Sequence, residues 1–95
     1  MKNGPIAPVV KNVWLECQVT KTLGTNREIE VKLQDDSTTK IIVHETLIGE
    51  IGDQNYVRVE DIGRKNKLVY IKLPQPSLQH GHNITVSQKV VKDKI

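Results

Sequence analysis

Residues 27–34 read Arg27-Glu28-Ile29-Glu30-Val31-Lys32-Leu33-Gln34, which is the cleanest alternation of apolar and polar side chains in the chain. Successive side chains of a β-strand point to opposite faces, so this period of two predicts a strand whose aliphatic residues face inward. The next three residues, Asp35-Asp36-Ser37, favour a turn. The chain then returns over residues 38–44 with Ile41 and Val43 inward. We therefore predict a hairpin with one buried and one solvated face.

The same alternation recurs in four further segments of the chain. They are residues 13–20, 56–61, 67–73 and 83–87, and their predicted inward side chains are Leu15, Cys17, Val19, Val57, Val59, Val69, Ile71, Leu73, Ile84 and Val86. In residues 56–61 the alternation places Tyr56, Arg58 and Glu60 outward.

The connections between these segments are short. A turn is predicted at Gly63-Arg64-Lys65-Asn66, and Pro74 and Pro76 are expected to end the fifth strand because proline cannot donate to a ladder. Residues 45–53 are too few for a stable free helix. The sequence thus predicts an all-β protein, a small five- to six-stranded antiparallel barrel with no substantial helix. An OB-like and an SH3-like topology both fit this pattern.

The length of 95 residues suits one domain. We expect a flexible N-terminal segment over residues 1–12, a single β-barrel domain over 13–88, and a basic C-terminal tail over 89–95 that frays. One cysteine rules out an internal disulfide, and no apolar run reaches membrane-spanning length. These features indicate a cytoplasmic protein without a membrane partner.

No arrangement of residues in the sequence supports catalysis. Cys17 falls on an inward face, where a free cysteine is usually a small core residue. His80 and His82, with His44 elsewhere, lack the four-ligand set of a structural zinc site. There is no glycine-rich phosphate loop and no Ser/His/Asp ordering. We therefore expect a non-enzymatic binding module without a metal or a cofactor.

Charge is unevenly distributed along the chain and suggests one kind of ligand. The formal net charge is +3, and the excess of Lys and Arg lies in the second half. Cations that track phosphates beside flat rings are typical of a groove for single-stranded nucleic acid. The predicted interface for single-stranded DNA or RNA comprises Arg58, Arg64, Lys65, Lys67, Tyr70 and Lys72. The competing interpretation is a solvated sheet face, where Lys and Arg maintain solubility.

A second hypothesis assigns the surface to a protein partner. Trp14 is out of register with Leu15 and Cys17, so strict alternation places it outward, and Ile42 is outward on the third strand. Because Trp is enriched at binding hot spots, Trp14 and Ile42 are candidates for a protein interface. The chain would then be an interaction or scaffold module, acting as a homo-oligomer or as a subunit of a larger complex.

Overall fold

The computed structural model describes residues 11–95, and within them the chain is almost entirely antiparallel sheet. Two single 3₁₀ turns, Glu45–Leu47 and Gln88–Val90, precede the fourth and eighth strands. The all-β class and the lack of a substantial helix are confirmed for the described residues. The strands are β1 Lys11–Leu23, β2 Asn26–Lys32, β3 Thr38–His44, β4 Ile48–Ile51, β5 Gln54–Lys65, β6 Leu68–Ser77, β7 Gly81–Ser87 and β8 Val91–Lys92.

The sheet curls into a half-barrel. Its strand order is β3-β2-β1-β5-β6-β7, while β4 pairs with β5 and β8 pairs with β1. The two ends of the sheet approach each other and are joined by two hydrogen bonds. Thr39 Oγ1 donates to Gln79 Oε1 at 3.0 Å, and the Gln34 N–H donates to the Thr85 carbonyl at 3.0 Å. Within residues 11–95, β3 forms a ladder with β2 alone, so an open seam runs along its other edge.

The core lies inside this curl and is built mainly from β-branched residues. No aromatic side chain belongs to the core cluster of residues 11–95. The predicted inward positions are buried with the single exception of Val19. The core cluster comprises Val13, Leu15, Cys17, Ile29, Val31, Leu33, Ile41, Val43, Val57, Val59, Val69, Ile71, Leu73, Ile84 and Val86.

The hairpin of β2 and β3 forms as its sequence predicts. The Leu33 N–H donates to the Ser37 carbonyl at 2.7 Å, and Asp36 adopts a left-handed conformation with φ 69°. The Asp35 carboxylate accepts the Ser37 N–H at 3.0 Å, the local bond for which Asp is favoured in turns. This bonding and the Ser37 hydroxyl hold the pKa of Asp35 below its ordinary value.

Two side chains differ in burial from the prediction. Val19 is 37% exposed, because the β1–β2 pairing shifts register between Val19 and Lys21 and the rest of β1 extends past the core. Tyr56 is buried, at 4% exposed, where β5 has a strand on each edge. One of these strands is β1, far away in the sequence, and the other is β4, which a two-residue turn joins to β5, so the alternation within residues 56–61 carries no sign of either.

The boundaries of β5 and β6 also differ from the prediction. The turn between them is Asn66–Lys67, with φ values of 52° and 68°, whereas Arg64 and Lys65 belong to β5. Strand β6 continues through both prolines to Ser77. The prolines nevertheless interrupt its ladder, because the β6–β7 pairing is irregular between Lys72 and Ser77.

The C-terminal residues are docked on the sheet. Val91 pairs with Leu15 and Lys92 with Trp14, so the prediction of a frayed tail is wrong for this segment. The Ile95 side chain and Cζ3 of Trp14 both approach Gly49, where a Cβ would lie 3.1 Å from Cζ3. Residues 1–10 of the predicted flexible segment lie outside the described residues, while residues 11 and 12 begin β1.

Candidate nucleic-acid interface

The outer face of β5 and β6 carries most of the predicted site. Cross-strand partners in an antiparallel pair share a face, and the register places Tyr70 opposite Gly63, Lys72 opposite Glu60 and Lys65 opposite Leu68. We use the name basic surface for the five residues Arg58, Lys65, Lys67, Tyr70 and Lys72. Arg58 lies on β5, two residues before Glu60 and on the same face.

Tyr70 is the exposed ring of this surface. Its side chain is 38% exposed, and a Cβ placed on Gly63 would lie 3.5 Å from its Cδ2. The ring therefore passes over a position that lacks a side chain. Tyr56, which the alternation places outward, is buried and cannot present its ring to a ligand. One tyrosine therefore remains for stacking on the basic surface.

The four cations of the basic surface carry no ion pair. No carboxylate oxygen of residues 11–95 lies within 4.0 Å of Arg58, Lys65, Lys67 or Lys72. Glu60 lies opposite Lys72 in the β5–β6 ladder and lowers the local positive charge. Its carboxylate oxygens are nevertheless more than 4.0 Å from the Lys72 ammonium. The charges of this surface are thus left for solvent or for a ligand.

The tip of the β5–β6 hairpin is fixed by the C-terminal segment. The Gln88 N–H donates to the Lys67 carbonyl at 2.9 Å, and the Ser87 hydroxyl accepts the Lys89 N–H at 3.2 Å. The first of these bonds joins the C-terminal segment to the turn of the hairpin. Sequence reasoning placed Lys89 in a frayed tail, and no local pattern signals a backbone bond across twenty residues of chain.

Arg64 does not belong to the basic surface. It lies opposite Val69, an inward residue, because the irregularity between Asp61 and Gly63 inserts one residue and reverses the alternation. Arg64 Nε donates to the buried Asp61 carboxylate at 2.7 Å, and an Arg64 guanidinium N–H donates to Asp93 at 3.0 Å. The hydrogen bond to Asp61 raises the pKa of Arg64. Arg64 thus ties the hairpin to the C-terminal segment.

We expect Arg64→Ala to lower the free energy of unfolding by about 1–3 kcal/mol, because it leaves the Asp61 carboxylate short of its charged donor. The Asp61 side chain is 7% exposed, and its other partner is the Gly63 N–H at 3.0 Å. Lys65→Ala, the matched control on the next residue, should change the stability by less than about 0.5 kcal/mol. Urea unfolding followed by circular dichroism measures both. Equal stability of the two variants would contradict this account of Arg64.

The two residues of the alternative protein interface do not share a surface. Trp14 is half-buried, and its cross-strand neighbours are Arg58 and Lys92. Ile42 is 47% exposed on β3 and pairs with Glu28. Glu28 in turn lies opposite Lys21 of β1. Lys21 is seven residues beyond Trp14 on that strand, which corresponds to about 20 Å at the usual rise per residue. Trp14 is covered by the C-terminal segment, whereas Ile42 flanks the open seam.

Two of the three histidine rings make local contacts with backbone groups. The Nδ1 atom of His44 accepts the Thr46 N–H at 3.2 Å and caps a 3₁₀ turn, and Nδ1 of His82 lies 3.2 Å from the Leu73 carbonyl. Among residues 11–95, no three His, Cys, Asp or Glu side chains gather in a group able to hold a metal ion. No helix in that range is both long and apolar enough to cross a bilayer.

Comparisons of this chain with protein-family models, with curated proteins and with solved structures find no match.

Proposed function

We propose that this protein is a non-enzymatic module that binds single-stranded DNA or RNA through the basic surface. The observation that carries the proposal is the group of four unpaired cations around the exposed Tyr70 ring. Arg58 and Lys65 are seven residues apart on β5, so the cations extend over about 20 Å of strand. Phosphates along an extended single strand would meet successive cations, while a base stacks on the tyrosine.

The strand order supports an OB-like rather than an SH3-like barrel as the framework for this function. Strands β1, β2 and β3 form a meander, β5 returns to pair with β1, and β6 passes beside β3. The segment of the first 3₁₀ turn and β4 takes the place of the helix of an OB barrel. OB barrels bind oligonucleotides on the face of their second and third strands and on adjoining loops.

That usual face has no net positive charge in this chain. The outer side of β2 and β3 carries Glu28 and Glu30 against Lys32 and Lys40, and Lys40 lies 3.9 Å from Glu28 and opposite Glu30 in the ladder. Phosphates would thus find no excess of cations on this face. We therefore place the interface on β5 and β6, with the Asn66–Lys67 turn as the loop that contacts the ligand.

Fluorescence anisotropy of labelled single-stranded DNA and RNA oligomers tests this proposal. We expect micromolar binding at 50 mM salt and about 30-fold weaker binding at 200 mM, because neutralising three to four phosphates of a single strand releases counterions. The double variant Lys65→Glu/Lys67→Glu should weaken binding at least about tenfold. Tyr70→Ala should weaken it by about 1–3 kcal/mol, while Tyr70→Phe keeps the stacking ring.

The matched control is Lys21→Glu/Lys32→Glu. Both lysines are exposed on β1 and β2, neither lies in an ion pair within residues 11–95, and the change in charge is the same. The control should bind more tightly than the Lys65/Lys67 variant. Absence of binding by the parent at low salt would exclude the proposed function. Equal weakening by both variants would reduce it to a general effect of net charge.

A further inference from the structure

A second aromatic side chain lies on the same outer face of the sheet as the basic surface. Trp14 alternates with the core residues of β1, and its partners in the ladders are Arg58 of β5 and Lys92 of β8. Cross-strand partners share a face, so the indole is flanked by two cations. Both cations are exposed, and no carboxylate oxygen of residues 11–95 lies within 4.0 Å of either.

The end of the C-terminal segment covers part of this indole. Gly49 of β4 lies opposite Tyr56, and a Cβ at Gly49 would lie 3.1 Å from Cζ3 of Trp14 and would overlap the Ile95 side chain. Such a Cβ points to the same face as the Tyr56 side chain. Tyr56 is 4% exposed but lies outside the core cluster, so it is buried from the outer face. The side chains of Trp14 and Ile95 therefore meet over this part of the outer face.

Residues 93–95, which we name the covering segment, are held by few contacts. Strand β8 contributes only two residues to its ladder with β1, and the chain bends at Asp93. The Asp93 carboxylate accepts from Arg64 at 3.0 Å and lies 3.9 Å from the Lys11 ammonium, but its side chain is 60% exposed, and exposed ion pairs stabilise little. Ile95 is itself 41% exposed. The covering segment can therefore detach while the sheet stays folded.

We propose that Trp14 is a second stacking site for a base of single-stranded nucleic acid, and that the covering segment competes with the base for the indole. This inference rests on the proposed function, because it extends the same interface. Arg58 belongs to the basic surface and also lies beside Trp14, so the two sites are continuous. A base stacked on the indole would have its phosphates near Arg58 and Lys92, the combination that single-stranded nucleic acid requires.

The two exposed rings lie within reach of one oligonucleotide. The partners of Trp14 and Tyr70 on β5 are Arg58 and Gly63, which are five residues apart along that strand. With one strand spacing on either side of β5, the two ring-bearing positions are about 20 Å apart. That span suits the sites of about 4–16 nucleotides typical of OB barrels. Glu60 lies between them, and the cation opposite it on β6 offsets its charge.

Ile95→Ser tests the cover and leaves every charge of the chain in place. The substitution should expose the indole, so that Trp14, the single tryptophan of the chain, emits at longer wavelength and is quenched more strongly by acrylamide. Ile42→Ser is the matched control, because Ile42 is similarly exposed, at 47%, and lies on β3. The control should leave the emission unchanged, and circular dichroism should show both variants folded. Unchanged emission and quenching of Trp14 in Ile95→Ser would overturn the proposal.

Titration at low salt with an oligothymidylate of about ten nucleotides tests the stacking site. Ile95→Ser should bind about fivefold more tightly than the parent, because the ligand no longer has to displace the covering segment, and the oligomer should quench the Trp14 fluorescence. Trp14→Leu added to Ile95→Ser keeps an apolar side chain without a ring and should abolish this gain. Equal binding by Ile95→Ser and the parent, or no effect of Trp14→Leu, would overturn the stacking site. The proposed function would then still stand on salt-dependent binding by the parent, whereas absence of binding by the parent and all variants would exclude both proposals.

Discussion

Ile71→Ala is expected to lower the free energy of unfolding by about 2–5 kcal/mol, through lost burial and the cavity that remains. Ile71 is 0% exposed on β6, between Asp61 of β5 and Ile84 of β7 in the ladders. A domain of this size is typically stable by only about 5–15 kcal/mol. One truncation therefore removes a large part of the stability, because the core has no large aromatic side chain to compensate.

Urea unfolding of Ile71→Ala beside Ile62→Ala measures this effect. Ile62 carries the same side chain but is 46% exposed on β5, so its truncation should change the free energy of unfolding by about 0.5 kcal/mol or less. A loss below about 1 kcal/mol for Ile71→Ala would mean that the curled sheet does not enclose a packed core at this position.

The inward set of side chains could be predicted from the sequence because the period of two is a local property of a strand. The burial of Ile29, Val31 and Leu33 can be predicted without the rest of the chain, because a strand with one buried and one solvated face must alternate apolar and polar side chains. Val19 differs because the β1–β2 pairing shifts register between Val19 and Lys21, and the alternation within β1 gives no sign of that shift.

The candidate site could be predicted only in part, for two physical reasons. The sequence predicts a turn at residues 63–66 with Arg64 and Lys65 together at its tip, whereas β5 continues through Lys65, and the bulge near Gly63 sets Lys65 rather than Arg64 on the outer face. Tyr56 is buried where β5 pairs with both β1 and β4, and the alternation of β5 alone gives no sign of these two pairings. Both effects remove residues from the predicted surface.

The burial of Cys17 in the core makes the free energy of unfolding depend on pH. Its side chain is 3% exposed, and burial raises the pKa of the thiol from its ordinary value of 9.0 to about 12. The folded protein therefore keeps the proton above pH 9, while the unfolded chain releases it. Because the unfolded state then binds fewer protons, the free energy of unfolding falls as the pH rises through this window.

We expect this single thiol to lower the free energy of unfolding by about 2–3 kcal/mol between pH 8 and pH 11, at about 1.4 kcal/mol per pH unit where the slope is steepest. Other groups titrate in the same range, so the measured quantity is the difference between the parent and Cys17→Ala in urea unfolding at each pH. That difference should shrink as the pH rises, because the variant lacks the thiol. A difference that is constant from pH 8 to pH 11 would show that Cys17 ionises as readily in the folded protein as in the unfolded chain. Such a thiol would be accessible and reactive, and its assignment to the core would be wrong.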